Sequence, residues 1–394
     1  MILTSIVVNN VGDIIFDLFI TWNITDQTGD IMNAVYLLGS SIAFRAVLAL
    51  FAGIFVDRFN KKKLIIYSNM SSMAVILLFG LFWQWIIQYV GIGILFILIN
   101  DINNEVFKRS YMILCTELFS RETFIKFQAV SSVAVRIVNI AGAGAAGFLM
   151  AFLDPYVIFG LDILSFVISA ALFALIPYSQ KRRAAMAGGT LGHKARCVFD
   201  DVLYTFRAMF RSKYILSFIV LMFILNLAYG YIPYIFPILM ADRASSPALL
   251  GAIKSAMSLG EVLGLLIVTR VAKYVSLTFK VSMVCNLLIM AMLAVTGNGY
   301  LILLLFLAYG LADSLTQPLF SYTIVNIDSD NRGKIIGGID AIILFSPSIG
   351  MYLISKLMDL GGWFGFGALM VIFCIALLMI VFNRSLNLIV MADP

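Results

Sequence analysis

About twelve apolar runs, each close to the length that crosses a bilayer, constrain this chain more than any other feature. Some 30 Å of hydrocarbon takes roughly 20 helical residues. The runs fall near 2–24, 33–56, 64–86, 89–112, 125–152, 156–178, 214–239, 247–270, 278–296, 299–325, 334–357 and 362–383. Most of the connections between them are a few residues long, so neighbouring helices must run antiparallel. Composition agrees: 62% of the 394 residues are hydrophobic and only 12% are charged, against about 25% charged in a soluble globular domain. A lipid bilayer is the solvent such a surface suits.

The segment Ser179 to Lys213 differs from the rest. Its first part, SQKRRAAMAGGTLGHKAR, is basic and rich in Gly and Ala, the composition of a flexible linker. Its second part spaces Val198, Val202, Leu203, Phe206, Met209 and Phe210 at helical intervals between charges, which predicts an amphipathic helix lying on the membrane surface. The expected organisation is therefore a six-helix bundle over 1–178, a linker over 179–213, and a second six-helix bundle over 214–394.

The net charge of +6 would point to nucleic acid in a soluble protein. Its placement says otherwise. With the N-terminus inside, only Arg243 and Lys356 fall in outer loops, and Arg45, Arg136 and Lys254 fall within spans. The other 22 of the 27 Lys and Arg residues gather at inner loops and helix ends. Such an asymmetry predicts a multi-pass protein of the bacterial cytoplasmic membrane with both termini cytoplasmic, and it removes the need for a nucleic-acid partner. The start of the chain lacks the charged n-region and cleavage site of a signal peptide, so its first run reads as a retained helix. Four scattered cysteines without CxxC spacing and a single histidine, His193, give no metal site, disulfide framework or histidine-based catalysis to build on. No GxxxxGK[ST] loop occurs, and no cofactor is expected.

A dense charged knot interrupts the apolar pattern between the second and third runs: GIFVDRFNKKKL, Gly53 to Leu64. Lysines alone would anchor the loop inside. A glycine four residues ahead of an Asp-Arg pair, followed by lysines, resembles instead the loop signature of the major facilitator superfamily. The stretch VGDIIFDLFITWNITDQTGD resembles the first helix of that superfamily's drug:proton antiporter branch, which includes macrolide efflux proteins and the enterobactin exporter. GAGAAGFLMAFLDPYVIFGLDILSFVISA is similar to its fifth and sixth helices, and TQPLFSYTIVNIDSDNRGKIIGGIDA to its tenth-to-eleventh helix junction. The resemblance runs over nearly the whole chain. Departures are Ala143 after Gly142, where the antiporter motif has Pro, and Asn100 at a fourth-helix position that often carries Arg. The basic leader usual in the branch is missing ahead of the first helix, so a start further upstream is expected.

The resemblance implies an all-α membrane protein with two six-helix bundles around a central cavity, working as a monomeric, proton-coupled exporter of a small molecule rather than as an enzyme. It also implies a gating loop made of Gly53, Asp57, Arg58 and Lys61, with Arg332 in the corresponding turn of the second half. An uptake carrier of the same fold, or a non-transporting sensor or immunity protein on that scaffold, are the alternatives.

Ionised groups inside a membrane helix cost at least ~2.5–3.5 kcal/mol, so they normally face a cavity or a partner. Asn10, Asp13 and Asp17 form one stripe on the first helix, and Arg45 on the antiparallel second helix lies at a depth where either acid could pair with it. Asp101, Glu105 and Arg109 line one side of the fourth helix beside Asn100 and Asn104. Two acids one turn apart resist ionising together, so one could hold a proton. The fifth helix adds Arg136 and Asn139, the sixth Asp162, the eighth Lys254 and Glu261, and the tenth Asp313 and Gln317. Structural ion pairs are the plainer reading of each. Gly142, Gly144, Gly147, Gly260 and Gly264 predict close helix packing. Trp22, Trp83, Trp85 and Trp363, near the ends of runs, predict an interfacial belt.

Overall fold

A computed structural model describes residues 1–56, 59–178, 213–242, 246–271, 274–326, 339 and 342–383. Every element among them is an α-helix. In chain order these are α1 Ile2–Thr28, α2 Ile31–Val56, α3 Lys61–Leu81, α4 Trp83–Gln88, α5 Val90–Leu118, α6 Arg121–Phe152, α7 Pro155–Ala174, α8 Lys213–Tyr231, α9 Phe236–Asp242, α10 Pro247–Val271, α11 Val275–Val295, α12 Gly299–Ser314, α13 Gln317–Asn326, α14 Ser346–Leu360 and α15 Gly362–Phe382. Eleven spans among the described residues are long and apolar enough to cross a membrane. Asp57, Arg58, Arg332, the amphipathic segment and the start of the 334–357 run lie outside the described residues.

The boundaries follow from local chemistry. Gly29 ends α1 at φ 63, a left-handed turn that costs glycine nothing. Asn60 caps α3 by accepting from the Lys63 N–H at 3.1 Å, and Ser120 caps α6 through the Thr123 N–H at 3.3 Å. At α7, Asp154 accepts from the Tyr156 N–H at 2.9 Å while Pro155 fills a first-turn site that needs no donor.

Three runs that read as continuous in the sequence are broken: 64–86 divides at Phe82 into α3 and α4, and two others break beside prolines. The 214–239 run divides into α8 and α9, since Pro233 supplies no N–H to carry the ladder through the turn between them and Pro237 suits the first turn of a new helix. In the 299–325 run, α12 gives way to α13 at Leu315 and Thr316, and Pro318 again stands in the first turn after the break.

The chain divides into two compact units. The first takes in Met1–Gln180, Tyr231–Leu259 and Gly297–Leu307. In it α1 packs on α7 and α6, α3 on α5 and α7, and α2 on α5. Phe16, Phe19, Phe79, Trp83 and Phe159 form an aromatic core in which Phe19 and Phe159 meet edge to face at 5.4 Å. Trp83 and Trp22 are both buried, unlike Trp85 and Trp363. Burial takes Trp22 and Trp83 out of the expected aromatic belt: α1 continues past its apolar run to Thr28, and the turn at Phe82 tucks Trp83 against Phe79.

Close packing at the glycines holds where the geometry demands it. A Cβ on Gly147 would come within 2.7 Å of the Gly251 backbone, and Ser255 Oγ, one turn further along α10, donates to the Ile140 carbonyl at 2.6 Å.

The second unit comprises Lys181–Gly230, Gly260–Thr296 and Ala308–Pro394. Here α11 packs on α15 and α13, and α14 on α15. Ser282 Oγ donates to the Ala312 carbonyl at 2.7 Å, tying α11 to α12.

Candidate functional site

The charged loop before α3 is partly a structural clasp. Lys61 is buried, and its Nζ donates to the carbonyls of Val56 and Phe59 at 2.7 and 2.9 Å. Lys62 reaches α7, where its Nζ donates at 2.7 Å to both the Ala174 and the Ile176 carbonyls. A cation at carbonyls left open by a helix C-terminus is doubly favoured, by hydrogen bonding and by the helix dipole. Nothing in the sequence singled out Lys62 from its neighbours. Nearby, the Tyr178 hydroxyl donates to Glu117 Oε2 at 2.5 Å; burial and that carboxylate hold Tyr178 above the ordinary tyrosine range, and so keep it a donor. Gly53 lies within α2 ahead of this loop.

Deeper in the first unit a cavity of about 90 Å³ opens between α1, α2 and α5. Asp13 and Asp17 line it from α1, Ser41 and Arg45 from α2, and Asn100, Asp101 and Asn104 from α5, with Phe16, Ile20, Leu37 and Ile97 as apolar wall. The i and i+4 spacing puts the two α1 carboxylates on one face, and Ser41 and Arg45 share the same spacing on α2. Asp17 is exposed although the helix on either side of it is buried, so its exposure is to this cavity.

Arg45 does not pair with Asp13 or Asp17. Its Nε lies 2.9 Å from Asp101 Oδ1, and its Nε and Nη2 donate to Ser41 Oγ at 3.1 and 2.7 Å. The reason is packing: α2 lies along α5, which puts Asp101 within reach of the guanidinium while the α1 acids face it from across the cavity. The side chain of Asp101 is only 4% exposed and that of Arg45 46%, so the acid lies behind the base. Among the described residues neither Asp13 nor Asp17 makes an ion pair.

Of the other residues singled out in the sequence, Glu105 turns along its own helix and pairs with Arg109 at 3.3 Å. Arg136 is half-buried on α6 and is not among the cavity's lining residues. Glu261 and Asp313 belong to the second unit, where Asp313 has Tyr229, Tyr309 and Glu261 as polar neighbours. Ser314 Oγ donates there to the Glu261 carbonyl at 2.9 Å.

Asp162 is buried under α1, against Gly12. A Cβ at Gly12 would strike Asp162 Oδ1 and Ser165 Oγ. Gly12 therefore has a steric purpose that the Gly-Asp pair alone did not reveal. Among the described residues Asp162 has Ser165 as its hydrogen-bonding neighbour and makes no ion pair.

Helices in this order, a charged cavity near the middle of α1, α2 and α5, and a basic loop after α2 define a polytopic membrane carrier. Residues 2–327 match the family model described as the Major Facilitator Superfamily, and the chain belongs to that superfamily of membrane transporters. Its fold is that of solved members. The structure of the nucleoside transporter NupG superposes with a TM-score of 0.70 at 15% identity, over 100% of this chain and 98% of that one. A POT family transporter in complex with a thioalcohol-conjugated peptide gives 0.73 at 10% identity, over 98% and 96%. A bacterial homologue of the iron transporter ferroportin, in its inward-facing state, gives 0.68 at 14% identity, over 96% of each chain. No curated protein sequence matches this chain.

Proposed function

We propose that the chain is a proton-coupled secondary exporter of a small polar or amphipathic molecule, working by alternating access in a bacterial cytoplasmic membrane. One observation carries this reading: Asp13 and Asp17, near the middle of a membrane helix, face an internal cavity and make no ion pair among the described residues. A carboxylate at that depth is tolerable when water reaches it or a proton neutralises it. An acid that binds a proton on one side of the membrane and yields it on the other is a coupling device. Each inward proton draws about 2.3 kcal/mol from a 100 mV potential.

In this reading Asp13 carries the proton, with Asp17 beside it and Asp101 held ready by Arg45. Glu105, Glu261 and Asp313 are further candidates, and Arg136 tunes the field. Gly53, Asp57, Arg58 and Lys61 form the gate clasp, with Arg332 as its counterpart. Two bundles, 1–178 and 214–394, rock about the linker at 179–213 in a monomer with both termini cytoplasmic. The Lys and Arg asymmetry of the loops supports that orientation. The likeness in sequence to the drug:proton antiporter branch favours export.

The test is a resistance profile. A strain expressing the protein is compared with one that is not, across antibiotics, dyes and siderophore analogues, and any compound that separates them is followed in vesicles under an imposed pH gradient. Gradient-driven extrusion that Asp13→Asn abolishes, at equal protein in the membrane, is the expected result. Extrusion indifferent to the gradient or to Asp13 contradicts proton coupling, and net accumulation in cells establishes uptake instead.

A further inference from the structure

Behind the cavity, α1 meets α7 along a polar seam. Ser5 and Ser169 touch through their hydroxyls at 2.7 Å, and two turns further along α1 Gly12 lies against Asp162 and Ser165. Ser5, Asn9 and Gly12 share one face of α1, as Asp162, Ser165 and Ser169 share one face of α7. The register between the two contacts sets Asn9 level with Ser165. Ser5, Asn9, Asp162, Ser165 and Ser169 are all buried, and none of them lines the cavity.

Asp162 is short of donors in this seam. Its Oδ2 is sealed from solvent and has no hydrogen-bond partner among the described residues. Its Oδ1 meets Ser165 Oγ at 3.4 Å, but that hydroxyl stands 2.8 Å from the Asp162 backbone carbonyl. A hydroxyl has one proton to give, and the shorter contact takes it.

No counter-charge makes up the deficit. Among the described residues Asp162 forms no ion pair. The charged groups whose fields reach it are Asp13 and Asp17 on α1, both acids. The helix α3, which also packs on α7, has no charged side chain after Lys63, and α7 itself carries none besides Asp162. An ionised carboxylate only accepts, so it needs donors or water. A carboxylic acid carries its own donor. Across the seam Asn9 Oδ1 is an acceptor that is equally sealed and without a partner among the described residues. One proton supplies what both sides lack.

We propose that Asp162 is a proton-binding site outside the charged cavity, occupied in this structure, and that its proton locks α1 against α7. An ionised Asp162 requires water, and the close approach of Gly12 leaves no room for it while the two helices stay closed. Loss of the proton therefore parts α1 from α7 at Gly12, next to Asp13. The site goes beyond the exporter reading and does not rest on it: Asp13 faces the cavity, whereas Asp162 acts on the packing of the helix that presents Asp13.

Infrared spectra of the purified full chain in detergent test the occupancy directly, because the C=O stretch of a neutral carboxylic acid is distinct from the bands of a carboxylate. At neutral pH the unsubstituted chain should show one such band that Asp162→Asn lacks. Asp162→Ser should lose the same band, and it keeps the test informative if Asp162→Asn folds poorly. Absence of any neutral-acid band that disappears with Asp162 would overturn the site.

The lock is tested by its reciprocal, since a proton that closes the seam must be held less tightly when the seam is forced apart. As pH is stepped upward, the Asp162 band should vanish earlier in Gly12→Ala than in the unsubstituted chain, by at least about one pH unit, a tenfold loss of proton affinity. A band that responds to pH identically in both chains would contradict the lock and leave Asp162 an acid that is merely buried. Neither measurement involves transport. Failure of both would leave the exporter reading as it stands, and extrusion indifferent to a gradient would remove that reading without touching Asp162.

Discussion

Arg45 of α2 and Asp101 of α5 meet at 2.9 Å, with the acid buried and the base half open to the cavity. The pair joins the two helices that form one wall of the site. Removing Arg45 would leave a buried carboxylate whose second oxygen already has no partner among the described residues. Arg45→Ala should therefore destabilise by about 1.5–3 kcal/mol, below the full penalty of a wholly buried pair because Arg45 itself keeps much of its hydration. Arg45→Leu with Asp101→Leu should recover part of that loss. A double-mutant cycle on unfolding midpoints checks the coupling.

Asp13 and Asp17 make the opposite prediction. Neither is paired with a cation among the described residues, so each destabilises the empty protein in its ionised form. Asp13→Asn and Asp17→Asn should raise stability by about 0.5–1 kcal/mol, a modest figure because the cavity gives both groups some solvent. The same changes should abolish gradient-driven transport. Stability gained together with function lost is the usual signature of a strained functional site, and unfolding midpoints measured beside vesicle transport read both.

How much of this was legible in the sequence differs from feature to feature. Eleven of the spans were, because twenty apolar residues in a row leave few alternatives, and the loop signature placed the chain in its superfamily. The Asp13 and Asp17 stripe was legible too, since i and i+4 positions share a helix face wherever the helix lies. The partner of Arg45 was not: depth along an antiparallel helix allowed Asp13 or Asp17, while the choice depends on which helix α2 packs against, a fact of tertiary structure. Trp22 misled because the end of an apolar run is not the end of a helix, and Trp83 because the turn at Phe82 folds it onto Phe79. The helix breaks at Pro233 and before Pro318 carried a signal in the prolines, which a reading by hydrophobic run length passed over.

Gly12 stands over the Asp162 carboxyl and Ser165. Gly12→Ala should force α1 away from α7 and destabilise by about 1–3 kcal/mol through overpacking. Ser165→Ala in the same chain should relieve part of the clash, because one of the two obstructing groups is gone. Unfolding midpoints of the two single variants and the double variant decide it. An unchanged midpoint for Gly12→Ala would mean that α1 and α7 are less closely packed than described.

Lys62 bonds two carbonyls at the end of α7. Lys62→Gln should cost about 0.5–1.5 kcal/mol, and Lys62→Arg less, because a guanidinium retains the charge and the donors. Neighbouring Lys63, whose backbone N–H is what Asn60 engages, should tolerate Gln with little change. Hydrogen exchange over 172–178 would rise in the Lys62 variant alone.

The most direct measurement is cysteine labelling at position 17. In a chain whose four native cysteines have been replaced, Asp17→Cys is treated in proteoliposomes with a hydrophilic, charged thiosulfonate. An open internal cavity predicts fast modification by this reagent. A thiol that reacts only with a lipid-soluble maleimide, or with neither reagent, would show that position 17 faces lipid or packed protein, and would contradict the water-filled cavity on which proton coupling depends.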